Sequence, residues 1–78
     1  MRTSELLEKL KIPRHKLYYL EQKGYIVPKR IPMGELESRE YSKEDYLKIQ
    51  AIWKYLQKGY KHRIAYEQAM KELNRDHK

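Results

Sequence analysis

Seventy-eight residues, 40% of them apolar and 37% charged, suffice for one domain with a small core, typically worth no more than ~3–5 kcal/mol net without covalent staples. The absence of cysteine excludes disulfides, thiolate metal sites and thiol catalysis and fits a reducing cytoplasm; no apolar run approaches the ~18 residues of a membrane span or forms a signal-peptide core. A net charge of +7 implies a polyanionic partner, either nucleic acid or an acidic membrane surface.

Met1 to Lys9 reads as a first helix. Thr3 or Ser4 is placed to cap it, Glu5 suits the positive end of its dipole, and Leu6, Leu7 and Leu10 form an apolar stripe. Lys11-Ile12 is a short joint. It lacks the glycine usual in such turns, and Ile12 stands where a polar cap is expected. A second helix is predicted over Pro13 to Lys23, with Pro13 in the first turn and Gly24 as a left-handed stop. Two short helices with so brief a joint are the helix-turn-helix arrangement.

At roughly 100° per residue, Pro13, Leu17 and Leu20 fall on one side of this second helix. His15, Tyr18, Tyr19 and Gln22 fall on the other, with Arg14 and Glu21 toward the flanks. The stretch from Lys11 to Arg30 also sets Lys11, Arg14, Lys16, Lys23, Lys29 and Arg30 against Glu21 alone, so most of the charge imbalance sits there. Two tyrosines, an amide and a ring nitrogen edged by cations can be a solvated face with incidental aromatics. They also suit a helix laid in the major groove of DNA, where phosphates and base edges are touched together.

After Gly24, Tyr25-Ile26-Val27 is a β-branched and aromatic run stopped by Pro28. Lys29 to Tyr41 reads as a loop or β-hairpin that bends at Pro32 and Gly34 and returns over Arg39 to Tyr41. Glu35, Glu37 and Glu40 oppose Arg39 in this segment, so its tip is poorly suited to phosphate. Only Lys29, Arg30 and Arg39, near the base, have the right sign.

Ser42 followed by Asp45 is a capping-box pattern and opens a third helix that should run to about Lys58. Ile49, Ile52, Trp53 and Leu56 follow helical spacing, and Tyr46 extends their face. Leu47, Ala51 and Tyr55 occupy another side, so two neighbours are expected. Gly59 ends this helix. A fourth covers Lys61 to Leu73 with Ala65, Tyr66, Ala69, Met70 and Leu73 on one face, and Asn74 to Lys78 is expected to fray, giving a domain over residues 1–73.

The chain carries no nucleophile–base pair, no paired carboxylates at a catalytic spacing and no phosphate-cradling glycine loop. His15, His62 and His77 share no metal-ligand spacing. No enzyme, metal site or cofactor is therefore expected, and His62 reads as a surface group near a helix start. A membrane partner is not expected either, because the apolar faces are needed for the core.

The ordered set of motifs resembles the winged helix-turn-helix DNA-binding domain of the MerR family of transcription regulators, from Thr3 to Ala69. The family's second helix reads T-L-R-Y-Y-E, followed after a few residues by G-L-L-x-P-x-R. KLYYLEQKGYIVPKR keeps Leu17, Tyr19, Glu21, Gly24, Pro28 and Arg30 of that pattern. The family's wing closes with R-x-Y-S and an acidic pair, matched by Arg39, Tyr41, Ser42, Glu44 and Asp45, and Gly59-Tyr60 matches the G-F that ends its third helix. The resemblance implies a mainly α fold of about four helices with a small β-hairpin wing. It also implies double-stranded DNA as partner, phosphate contacts from Tyr19, Arg30 and Arg39, and the second helix in the major groove.

Three departures qualify the transfer. Tyr18 replaces the family's recognition-helix arginine, so that contact is lost or is supplied by Arg14 or Lys16. The usual glycine-aromatic pair of the wing tip is blurred by MGELES. The family continues into a dimerisation helix and an effector domain, whereas this chain stops at Lys78. The expectation is sequence-preferring DNA binding in transcription regulation, with helix 13–23 in the groove and wing 28–41 on the flanking backbone. The expected DNA-binding residues are Arg14, His15, Lys16, Tyr18, Tyr19, Gln22, Lys29, Arg30 and Arg39. A weak homodimer through Tyr66, Met70 and Leu73 is a further expectation. An excisionase-like or terminase-like architectural factor, a protein-interaction adaptor and a fragment of a longer regulator are the alternatives.

Overall fold

Capping, glycine punctuation and helical periodicity together produce a winged helix-turn-helix. The computed structural model describes residues 1–34 and 36–75, except for the side chain of Arg75. Its elements are α1 (Thr3–Leu10), α2 (Arg14–Gln22), β1 (Lys29–Met33), β2 (Leu36–Glu40), α3 (Lys43–Gln57) and α4 (His62–Arg75). Glu35 of the expected wing tip, and residues 76–78 of the expected frayed tail together with His77, lie outside the described residues. Asn74 and Arg75, expected in that tail, continue α4 instead. No described helix is long and apolar enough to cross a membrane.

α1 starts later than its sequence suggests, and neither Thr3 nor Ser4 caps it. Arg2 is the cap residue and offers no side-chain hydrogen bond. The chain start is fixed by backbone pairing instead: Arg2 bridges Glu40, and the Tyr41 N–H donates to the Met1 carbonyl at 2.6 Å. At the other end Lys11 adopts the left-handed conformation, φ 58°, and its N–H donates to the Leu7 carbonyl at 2.9 Å. A lysine thus takes the backbone role that glycine fills in most such joints.

Pro13 is the cap of α2 rather than its first residue, with ψ 141°, and its carbonyl accepts from Lys16 and Leu17. That extended ψ takes Pro13 off the helical wheel, so it is exposed instead of joining Leu17 and Leu20 inside. Ile12 goes in its place, 3% exposed. At the far end Gly24 has φ +80°. The Tyr25 N–H donates to Leu20 and the Gly24 N–H to Glu21, the two bonds of a Schellman stop. Gly59 repeats this after α3, where the Tyr60 N–H donates to Tyr55 and the Gly59 N–H to Leu56.

Tyr25 to Val27 is not a strand. Ile26 and Pro28 are buried anchors of an extended connection that leaves Val27 in solvent. The hairpin pairs Lys29 with Glu40 through Met33 with Leu36, so its bend lies at Gly34, φ +65°. Pro32 sits within β1 opposite Glu37 rather than in the bend. Both strands of a two-stranded ribbon are edges, and an edge tolerates a residue without an N–H. The returning strand accordingly begins at Leu36, earlier than the Arg39 expected from sequence.

Ser42 and Asp45 form the complete capping box. Ser42 Oγ accepts from the Asp45 N–H at 3.1 Å, and Asp45 Oδ2 accepts from the Ser42 N–H at 2.9 Å. α3 then meets both expected neighbours. Ile49 and Ile52 are fully buried with Leu6, Leu17, Leu20, Ile26 and Tyr41 in the core. Ala51, Ala65 and Ala69 are also buried, and these small side chains let α3 and α4 approach closely. Burial of each large aliphatic residue contributes about 1.5–3 kcal/mol, so the short list of core side chains sets the stability of the domain.

The Lys11 backbone yields a stability prediction. A left-handed residue with a Cβ costs about 1–2 kcal/mol, and part of that gain is offset by the extra chain entropy of glycine in the unfolded state. Lys11→Gly should therefore stabilise the domain by about 0.5–1 kcal/mol, read as a higher urea midpoint with unchanged m-value.

Candidate nucleic-acid interface

The exposed side of α2 is set by what its other side buries. Leu17 and Leu20 are fully buried, which turns Tyr18 and Tyr19 outward at 39% and 38% exposure. Arg14, His15 and Gln22 are exposed on the same helix, and Lys16 is half-buried. Lys29 and Arg30 are exposed at the start of the hairpin, and Arg39 is half-buried opposite Arg30 in the register. The nine residues singled out from sequence thus lie on α2 and the hairpin base, and ion pairs join these two elements.

Glu21 makes that connection. Its side chain is 8% exposed and faces the hairpin, where Arg30 Nη2 donates to Oε2 at 2.9 Å. Arg39 Nε lies 2.7 Å from Oε1 and 2.9 Å from Oε2, with its N–H directed at Oε2. Oε1 therefore has the charge of Arg39 beside it without a well-directed hydrogen bond. The hydrogen bond to Glu21 raises the Arg39 pKa against the opposing pull of burial. Arg30 also approaches Glu37 Oε1 at 3.5 Å. The only acid in the basic stretch is thus a bracket between α2 and the hairpin, and the two arginines expected at phosphate are its partners.

On the wing side of α2, Arg14 Nη1 donates to the Tyr18 hydroxyl at 3.0 Å, and the Arg39 guanidinium lies 5.5 Å from the Tyr18 ring centroid. On the opposite side Tyr19 packs against His62 at the start of α4, with ring centroids 4.4 Å apart and planes tilted by 49°. Lys23 Nζ stands 5.6 Å from the Tyr19 ring. Lys16, Tyr19, Tyr60, Lys61 and His62 line a shallow cleft between α2 and the α3–α4 turn. Among the described residues Arg14, Lys16, Lys23 and Lys29 form no ion pair, so their charge is available to a ligand.

Sequence reasoning missed two members of this surface. Glu21 was visible as the lone acid among cations, but its partners lie nine and eighteen residues away, beyond any helical periodicity. His62, expected as a surface group near a helix start, does open α4, and the fold also brings its ring to Tyr19. Tyr66, expected at a dimer contact, stacks on Tyr25 of its own chain with centroids 4.9 Å apart.

A family model described as "MerR HTH family regulatory protein" matches residues 1–64. No curated protein and no solved structure matches the chain.

Two predictions follow from the site's charges. Glu21→Ala leaves Arg30 and Arg39 without their shared carboxylate. It should cost about 1–2 kcal/mol in chemical denaturation, less than the about 3–5 kcal/mol of a fully buried pair because both guanidinium groups keep contact with water. For His62, burial first and the charge of Lys16 second lower the pKa from its usual 6.5. The unfolded chain takes up that proton more readily, so this contribution to stability is present above pH 6.5 and is lost as pH falls through the lowered native value. The melting temperature of the wild type should drop more between pH 7 and pH 5 than that of His62→Phe, which keeps a ring against Tyr19 and cannot titrate.

Proposed function

The chain belongs to the MerR helix-turn-helix family of regulatory proteins, a family of DNA-binding regulators, and from that premise we propose that it binds double-stranded DNA with sequence preference. In this reading α2 lies in the major groove and the hairpin base rests on the flanking backbone. The outward turn of Tyr18 and Tyr19 over fully buried Leu17 and Leu20 is the observation that carries it, because it presents a polar, aromatic and cationic face to solvent.

The roles divide by side-chain chemistry. Tyr19, Lys16, Lys29 and Arg30 suit phosphate, since the first three present donors without the geometry to discriminate bases and the Arg30 guanidinium is already engaged by Glu21. Arg14, His15 and Gln22 are exposed along α2 and suit base edges: a guanidinium fork matches the O6 and N7 of guanine, and an amide matches the N6 and N7 of adenine. Arg39 is only 27% exposed and serves first to hold the wing root to Glu21. The task this binding serves is transcription regulation in the cytoplasm, with no cofactor, metal or membrane partner.

A weak homodimer through the C-terminal helix belongs to the same proposal. Tyr66 is engaged within its own chain, so the surface available for it is Met70 and Leu73 of α4 beside the exposed Leu47 of α3. Sedimentation with and without duplex measures this association.

A gel-shift titration against randomised duplexes at several salt concentrations tests the main reading. Wild-type protein should select a preferred sequence, with a log–log salt slope of about −0.9 for each phosphate neutralised. Tyr19→Ala and Arg30→Ala should weaken binding to all duplexes, and Arg30→Ala should also flatten the slope by about one phosphate. Arg14→Ala or Gln22→Ala should change the preferred base at one position, costing about 1–3 kcal/mol there. Binding that is indifferent both to sequence and to salt would overturn the reading.

A further inference from the structure

Tyr18 is exposed on α2, and its surroundings give it a task of its own. Its hydroxyl accepts a hydrogen bond from Arg14 Nη1 at 3.0 Å, one helical turn earlier on the same exposed face. The Arg14 guanidinium carbon is 5.9 Å from the Tyr18 ring centroid, and that of Arg39 is 5.5 Å away. Both distances lie within cation–π range. Arg39 is in turn held by Glu21 at 2.7 and 2.9 Å. The contacts run unbroken from a nearly buried carboxylate, through a wing-root arginine and an aromatic ring, to the exposed cation nearest the start of α2.

We propose that Tyr18 is a positioning residue that fixes the Arg14 fork for readout of guanine, with Arg39 bracing its ring from the wing. The inference rests on the DNA-binding reading and adds to it the element that sets base preference. An arginine side chain alone samples many rotamers, and ordering it on binding works against affinity. A hydroxyl acceptor and an aromatic edge restrict those rotamers beforehand without neutralising the charge, as a carboxylate would. The tyrosine ring, rigid apart from two torsions, is restrained by Arg39. The wing and the recognition helix are therefore read as one unit, and a change at the wing root reaches the base-reading end of α2.

The test compares wild type, Tyr18→Phe, Arg14→Ala and the double variant on duplexes that differ from the preferred site by one base pair at a time. Tyr18→Phe keeps the ring and removes only the acceptor. It should lose roughly 3- to 10-fold of discrimination at the same position that Arg14→Ala affects, the range expected for one hydrogen bond. Affinity for non-specific duplex, its salt slope and the melting temperature should stay unchanged. The double variant should equal Arg14→Ala alone, because the hydroxyl acts only through that arginine. Additive losses, or a loss spread equally over every duplex, would mean that Tyr18 touches DNA itself and would overturn the positioning role. An unchanged profile for Tyr18→Phe would also overturn it. If Arg14→Ala alters no base position in a wild type that does discriminate, the readout assigned to Arg14 fails. If the wild type discriminates nowhere, the DNA-recognition reading fails with it.

Discussion

A carboxylate that is 8% exposed on a helix otherwise surrounded by cations is the constraint from which the functional surface is built. Glu21 cannot be left unpaired at that burial, since an isolated charge removed from water is costly. It draws Arg30 and Arg39 to itself, and because these face each other in the hairpin register, both strands are fixed to α2 at once. A two-stranded ribbon is marginal in water by itself. Here its base is held by ion pairs on one side and by the pairing of Arg2 and Met1 with Glu40 and Tyr41 on the other. The hairpin thus owes its position to polar contacts, while Leu17, Leu20 and Ile26 tie α2 and the segment after it to the apolar core.

The two glycine stops act on the site as much as on the fold. Gly24 and Gly59 each end a helix with the same pair of hydrogen bonds, and each is followed by a tyrosine. The turn after α2 brings Tyr25 under Tyr66 of α4, and the turn after α3 brings Tyr60 edge-on to Tyr55. The second turn also sets the start of α4 beside α2, where His62 meets Tyr19. Neither glycine is needed for close packing, since a Cβ at each would meet nothing within 4 Å. Their requirement is purely one of positive φ, which L side chains adopt at a cost. Lys11 shows that this cost is tolerated at a joint where the chain must turn within two residues.

Legibility in the sequence followed the range of the interaction. Local signals were read directly: the inward pair Leu17 and Leu20, the Ser42–Asp45 box, the Gly24 and Gly59 stops, and a third helix with two neighbours. Errors collected where the backbone leaves the helical wheel. Pro13 was assigned to the apolar side because the wheel was extended one residue too far, and its ψ of 141° sends it into solvent. Thr3 and Ser4 looked like caps because their hydroxyls can serve as such, but pairing with β2 had already fixed that end. Pro32 looked like a bend residue because the rule for proline in strands holds for central strands, and this sheet has none. The links that organise the interface, Glu21 to Arg39 and Tyr19 to His62, span eighteen and forty-three positions and carried no local signature.

With eight tyrosines and no phenylalanine, the domain uses the same side chain in its core, at Tyr41, and on its proposed interface, at Tyr18 and Tyr19. Four basic groups of the surface fall into two classes by what holds them. Arg30 and Arg39 are held by a carboxylate, which fixes them well and cancels much of their charge. Arg14 and Lys23 are held by tyrosines, one through a hydroxyl and the other at 5.6 Å from a ring. An aromatic ring or a neutral hydroxyl orients a cation while leaving its full charge to a third party. Counterion release on binding a polyanion depends on charge that is not already neutralised within the protein. Arg14 and Lys23 therefore bring unneutralised charge to the proposed DNA contact, while Arg39, the less exposed of the carboxylate-held pair, is suited to keeping the wing where that contact requires it. This division explains how a chain with a single acid in its basic stretch can be both folded and left strongly positive at one face.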